Sequence, residues 1–134
     1  MILDFKNIKS TLNNFFQIRQ DVRFVTVFGS YATGKAKQDS DIDIAICGNR
    51  KFSPDELVDM STQLSMLLGL EVDLIDLSKS HGAILEEALM KGEKILQRSP
   101  ADFEHLLKKM WYDKEDDGRF RQRTHQIRLA QWTK

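Results

Sequence analysis

Phe5, Ile8, Leu12, Phe15 and Phe16 recur at spacings of three and four, which predicts an amphipathic helix near residues 4–19 with one apolar face. Asp21 interrupts the pattern. Val22 to Phe28 (VRFVTVF) is β-branched and aromatic and runs straight into Gly29, as expected of a buried strand entering a tight turn. Ile42, Ile44 and Ile46 alternate with Asp41, Asp43 and Ala45, the period of a strand with one face in the core and its aspartates on the other. Ser53, Pro54 and Glu56 form a capped helix start, Leu57, Met60, Leu64, Leu67 and Leu68 supply its apolar stripe, and Gly69 stands at its left-handed end. Leu70 to Leu77 predicts a third strand, with Glu71, Asp73 and Ile75 on one face and Val72, Leu74 and Asp76 on the other.

Further along, Ile84, Leu85, Ala88 and Leu89 mark a short helix ended by Gly92, and Lys94 to Leu96 an edge strand. Ser99 and Pro100 open another helix with Phe103, Leu106, Leu107, Met110 and Trp111 on one apolar face, where the Trp is expected in the core. The charged stretch from Lys114 to Asp117, with Gly118, is expected to break it, and Arg119 to Lys134 carries only a weak helical pattern. The succession predicts a mixed α/β (α+β) fold, a small twisted sheet of three to four strands backed by helices.

Composition narrows this to one core: 134 residues at 41% hydrophobic are too few for two comfortable domains. The expectation is a single domain over residues 1–134, with 22–98 the core and 99–134 a helical extension. Lys+Arg and Asp+Glu both number 20, so the basic excess that signals non-specific nucleic-acid binding is absent and no direct contact with nucleic acid is expected. The arginines Arg119, Arg121, Arg123 and Arg128 could be a solvated face, an RNA contact or a docking surface for an acidic partner, and the neighbouring Glu115, Asp116 and Asp117 disfavour RNA. No signal-like start and no apolar run of about 18 residues is present, so a cytoplasmic protein without membrane contact is expected. The single cysteine, Cys47, excludes an internal disulfide and a cysteine-rich zinc site, and His81, His105 and His125 lack metal-ligand spacing.

The chemistry concentrates elsewhere. A glycine turn at Gly29-Ser30 lets backbone amides approach a triphosphate, a helix opening after it would aim N–H groups at the same anion, and Ser30 adds a hydroxyl donor. Residues 31–40 separate this turn from Asp41 and Asp43, two carboxylates side by side on a strand that can bridge hard cations. Their mutual repulsion makes the pair costly without a cation, and Mg²⁺ removes that cost while neutralising charge on a leaving pyrophosphate. Asp73, flanked by Val72 and Leu74, is the third candidate, as ligand or as general base for an incoming hydroxyl, whereas Glu71 and Asp76 lie nearer the strand ends and are expected to be solvated. Ser40 either touches phosphate or caps the turn, and Lys35 and Lys37 either meet phosphate or are merely solvated.

Gly29-Ser30, ten residues, then Asp41-x-Asp43, with Asp73 on a later strand, resembles the signature of the polymerase-beta-type nucleotidyltransferase superfamily. The stretches GSYATGKAKQDSDIDIAI and VDLIDL are most similar to the minimal nucleotidyltransferases (MNT), antitoxins of HEPN/MNT toxin–antitoxin pairs. That resemblance implies that Asp41, Asp43 and Asp73 bind two divalent ions, that Gly29 and Ser30 hold the triphosphate of ATP, and that AMP is moved onto a tyrosine of a HEPN-domain toxin, silencing its RNase activity. Two other readings stay open: transfer to a small hydroxyl compound such as an aminoglycoside, and an antitoxin that works by occlusion with a vestigial metal site.

Overall fold

A computed structural model describes residues 4–37 and 40–116, with side chains through residue 113. Helix α1 (Phe5–Gln17) starts where the Asp4 carboxylate accepts from the Lys6 N–H, and it buries Ile8, Leu12, Phe15 and Phe16. Its last turn is closed from a distance: the Arg98 guanidinium donates to the carbonyls of Phe16, Arg19 and Val22 at 3.0, 3.0 and 2.7 Å, satisfying groups that a helix end leaves open. Strands β1 (Val22–Phe28) and β2 (Ile42–Gly48) then pair antiparallel.

Helix α2 (Pro54–Leu68) has the predicted capping box. The Ser53 hydroxyl accepts from the Glu56 N–H, the Glu56 carboxylate accepts from the Ser53 N–H, and Gly69 ends the helix at φ 68°. It carries the chain over to β3 (Val72–Asp76), parallel to β2. A four-residue helix α3 (Ala83–Glu86) continues as a π turn over Glu87–Lys91, and β4 (Glu93–Gln97) pairs antiparallel with β1, giving the order β3-β2-β1-β4. Helix α4 (Pro100–Asp116) follows.

The period-two pattern sorts the core into two layers. Val25 and Val27 of β1 and Ile42, Ile44 and Ile46 of β2 pack beneath α1 and α2. Phe24, Phe28 and Ala45 pack on the other face against Leu85, Ala88, Leu89, Leu106 and Met110. Both outer strands are met by a helix side chain at the edge: the Asn13 amide of α1 donates to the Ile95 carbonyl at 3.2 Å, and the Ser65 hydroxyl of α2 accepts from the Val72 N–H at 3.2 Å. No described helix is long and apolar enough to cross a membrane.

Several expectations are corrected. Gly29–Tyr31 forms a single 3-10 turn and not the start of a helix, because the chain leaves at once into the loop toward β2. The third strand begins at Val72, since Gly69 and Leu70 are used in leaving α2. Trp111 is 56% exposed: the buried row of α4 is Leu106 and Met110, one turn apart, and Trp111 falls beside it. Helix α4 runs through residues 114–116, whereas the rest of the expected break, Asp117 and Gly118, and the pattern expected for Arg119 to Lys134 lie outside the described residues.

Asp76 is buried at 3% exposure and is not a solvated strand end. Its carboxylate accepts from the Phe52 N–H at 2.9 Å and from the Ser78 N–H and hydroxyl at 3.0 and 2.7 Å, so it joins the entry to α2 to the exit from β3. Asp76→Ala should leave these donors unpaired and cost about 3 kcal/mol of stability, against less than ~0.5 kcal/mol for the same change at exposed Asp73. Urea denaturation of both variants checks the contrast, and equal midpoints would refute it.

Candidate active site

The sheet brings the candidate residues to one end. Phe28, the last residue of β1, pairs with Asp43, and Asp43 pairs across β2–β3 with Asp73. Asp43 stands two residues before Ala45, and Asp73 two before Ile75, so alternation aims both carboxylates at the face covered by α3 and α4. Asp41 is exposed just ahead of β2, Asp43 is half-buried and Asp73 is exposed.

Gly29 follows Phe28 at φ 74°, a left-handed conformation that a side chain would strain. Space forbids a side chain as well: a Cβ here would lie 2.3 Å from Asp43 Oδ2. The glycine turn and the aspartate strand are therefore one contact, made possible by a missing methyl group. The Gly29 carbonyl accepts from the Ala32 and Thr33 N–H groups and the Ser30 carbonyl from the Lys35 N–H at 2.9 Å, which fixes the turn's acceptors inward. The Thr33 hydroxyl lies 3.3 Å from both the Gly29 and Ser30 carbonyls and can donate to either, so the side-chain bond that closes the turn comes from Thr33 and not from Ser30.

Ser40 is placed by the loop. Its hydroxyl accepts from the Lys37 N–H at 2.7 Å and its own N–H donates to the Lys37 carbonyl at 3.0 Å, which closes the turn ahead of Asp41. Lys35 and Lys37 are exposed. Sequence reasoning passed over Tyr31. It is 6% exposed, its ring sits 6.5 Å from that of Phe5, and its hydroxyl has no hydrogen-bond partner. The ring pins the far side of the Gly-Ser turn into the core beneath α1. The signal was present in the sequence, an aromatic two residues after the glycine, but nothing in spacing says which way it points.

Electrostatics agrees with a cation site. Burial, and then the nearby charges of Asp73 and Asp41, push the Asp43 carboxyl up to about 6. A divalent ion removes that repulsion, and three carboxylates are the oxygen donors that Mg²⁺ prefers. Among the described residues no three acidic, His or Cys groups already close on one point.

The raised Asp43 has a thermodynamic signature. The folded chain holds this proton up to about pH 6 while an ordinary aspartate releases it near 3.8, so the folded state binds more protons between those values. Stability attributable to Asp43 in the ion-free chain should therefore fall as pH rises from about 4 to about 6 and stay low above. Calorimetry in chelator should show wild type losing stability relative to Asp43→Asn across that window, with the Asn variant melting higher at pH 7. A difference that is flat with pH would mean the carboxylate is not desolvated. Divalent-ion affinity of wild type should weaken as pH falls through about 6.

Known proteins resemble this chain. Protein adenylyltransferase MntA of Thermococcus cleftensis is 39% identical over 71 residues, 53% of this chain and 72% of that relative. Its namesake in Shewanella oneidensis is 26% identical over 74 residues, 55% of this chain and 53% of the relative. Among solved structures, a toxin–antitoxin crystallised with AMP-PNP superposes with a TM-score of 0.77 at 20% identity, covering 90% of this chain and 98% of that one. A complex of tri-AMPylated Shewanella oneidensis HEPN toxin with MNT antitoxin gives 0.63 at 19% identity, covering 75% and 78%. At such identities these two likenesses speak for the fold. The family described as "Polymerase beta, Nucleotidyltransferase" matches residues 8–101, a span that holds the Gly-Ser turn and all three aspartates, and the chain belongs to that family.

Proposed function

We propose that this chain is a Mg²⁺-dependent protein adenylyltransferase, an antitoxin that moves AMP from ATP onto a tyrosine of a HEPN-domain RNase toxin. The observation that carries the reading is the contact of Gly29 with Asp43, with Asp73 in register beside it. One turn meets the phosphates and one carboxylate pair meets the metal, with no side chain between them. The relatives named as protein adenylyltransferases and the fold shared with toxin–antitoxin complexes support a protein acceptor.

In this reading the acceptor hydroxyl oxygen bonds to the α-phosphorus, the bond from that phosphorus to the bridging oxygen breaks, and pyrophosphate leaves. Asp41, Asp43 and Asp73 would hold Mg²⁺, which supplies charge neutralisation at the phosphates. Asp73, exposed on β3, would take the hydroxyl proton as that oxygen attacks. Ser30 donates to phosphate, and the turn's backbone orients the chain of phosphates.

Ser30→Ala removes one charge-assisted donor from a turn that does not use it for capping. Turnover should drop about ten- to hundredfold with the melting temperature unchanged, as steady-state kinetics and calorimetry would show. Unchanged kinetics would remove Ser30 from the phosphate site.

Chemistry and toxin binding should come apart in the double variant Asp41→Asn with Asp43→Asn, which keeps side-chain shape and relieves repulsion. Wild type incubated with toxin, Mg²⁺ and ATP should add mass to the toxin in AMP units and leave it unable to cut RNA after the two proteins are separated. The double variant should still bind and then release active toxin. Addition of phosphate in place of AMP would end the nucleotidyl reading, and equal recovery of toxin from both proteins would assign neutralisation to occlusion.

A further inference from the structure

A nucleoside triphosphate brings more negative charge than the backbone donors of one turn neutralise, so a cation on the side of the turn away from the aspartates is chemically expected. The order β3-β2-β1-β4 puts β4 on that side. Thr26 pairs with Lys94 and Val27 with Glu93 in antiparallel register, so the end of β1 that leads into Gly29 and the start of β4 that follows Lys91 lie at the same end of the sheet. Asp43, the Gly29 turn and Lys91 thus stand at one end of the sheet, on β2, beyond β1 and ahead of β4.

Lys91 is held in that place by the chain around it. The π turn Glu87–Lys91 touches the Gly29–Tyr31 turn and lies on the face toward which Asp43 and Asp73 look. Its exit is a tight fit: a Cβ on Gly92 would stand 2.3 Å from the Ala88 carbonyl oxygen and 2.4 Å from the Thr26 hydroxyl. That hydroxyl lies 3.4 Å from the Ala88 carbonyl of the π turn and 3.1 Å from the Glu93 carbonyl of β4, to either of which it can donate, so it ties the π turn and the start of β4 to the middle of β1. The Lys91 side chain itself is 61% exposed, and its Nζ lies 3.1 Å from Glu87 Oε1, a pair the turn sets four residues apart. A π turn inserts one residue into a helix and occurs frequently at functional sites.

We propose that Lys91 binds the triphosphate of the incoming nucleotide, its ammonium meeting the β- or γ-phosphate at the end of the site opposite the aspartates, while Glu87 holds the side chain there before nucleotide arrives. The assignment rests on the nucleotidyl-transfer reading above. It differs from a general effect of positive charge, because Lys94, further along β4, has its ammonium 4.1 Å over the Phe103 ring and 3.1 Å from Gln97 Oε1.

Titration calorimetry of the full chain with MgATP and with MgAMP decides the matter. Lys91→Ala should weaken MgATP on the order of ten- to a hundredfold and leave MgAMP within about twofold, since AMP lacks the phosphates concerned. Lys91→Arg should recover most of the loss, Lys94→Ala should change neither ligand, and melting temperatures should match wild type. The assignment is overturned if Lys91→Ala binds MgATP like wild type, if it loses MgAMP equally, or if Lys94→Ala weakens MgATP as much. Wild type that binds MgATP while Lys91→Ala is indifferent strikes this assignment alone. Wild type that binds no MgATP overturns the nucleotidyl reading and this assignment together.

Discussion

The site depends on one steric allowance, the approach of Gly29 to the carboxylate of Asp43. Antiparallel pairing of β1 and β2 brings the end of one strand against the start of the other, and the chain then has to turn away within three residues. Any side chain at position 29 would have to push the carboxylate aside or lift the turn. With the glycine in place, Asp43 stays half-buried against the sheet, close enough to two other aspartates to carry a raised proton affinity. Structure and electrostatics are set by the same missing methyl group.

The two layers around the sheet divide the work. The α1 and α2 layer holds most of the apolar core and binds β3 in parallel register, which is what sets Asp73 next to Asp43. The other layer is built from a four-residue helix, the π turn and α4, and leaves the aspartate end of its face less covered. Two aspartates three apart on β3 show the division. Asp76 points into the first layer and satisfies buried donors, while Asp73 points out of it toward the open end.

Much of this was legible before any coordinates, and for physical reasons. The apolar periods of α1, β1, β2 and α2 are long enough to set element and face, and the Ser53–Glu56 box and Gly69 fix the ends of α2 by local hydrogen bonding and a left-handed cap. Gly29, Asp41, Asp43 and Asp73 could be singled out because their spacing placed them on strand ends. What failed to show depends on tertiary contacts. Asp76 reads as a solvated strand end until the unpaired N–H of Phe52 is brought against it. Trp111 shares a helical stripe on paper, but only the row through Leu106 and Met110 reaches the sheet. The π turn has no composition of its own; it ends where Gly92 passes close to Thr26 and Ala88, an approach made only in the folded sheet.

The plugged edges of the sheet bear on how this protein can meet another. Strand β4 has a register shift near Ile95 and gives that residue's carbonyl to the Asn13 amide, while β3 gives the Val72 N–H to the Ser65 hydroxyl. An incoming strand would find a polar group on each edge already engaged and, at β4, an irregular ladder. Recognition by backbone zippering is thereby discouraged, which favours reading a partner through side chains. Specificity for that partner can then drift by surface substitution while the catalytic end of the sheet stays as it is.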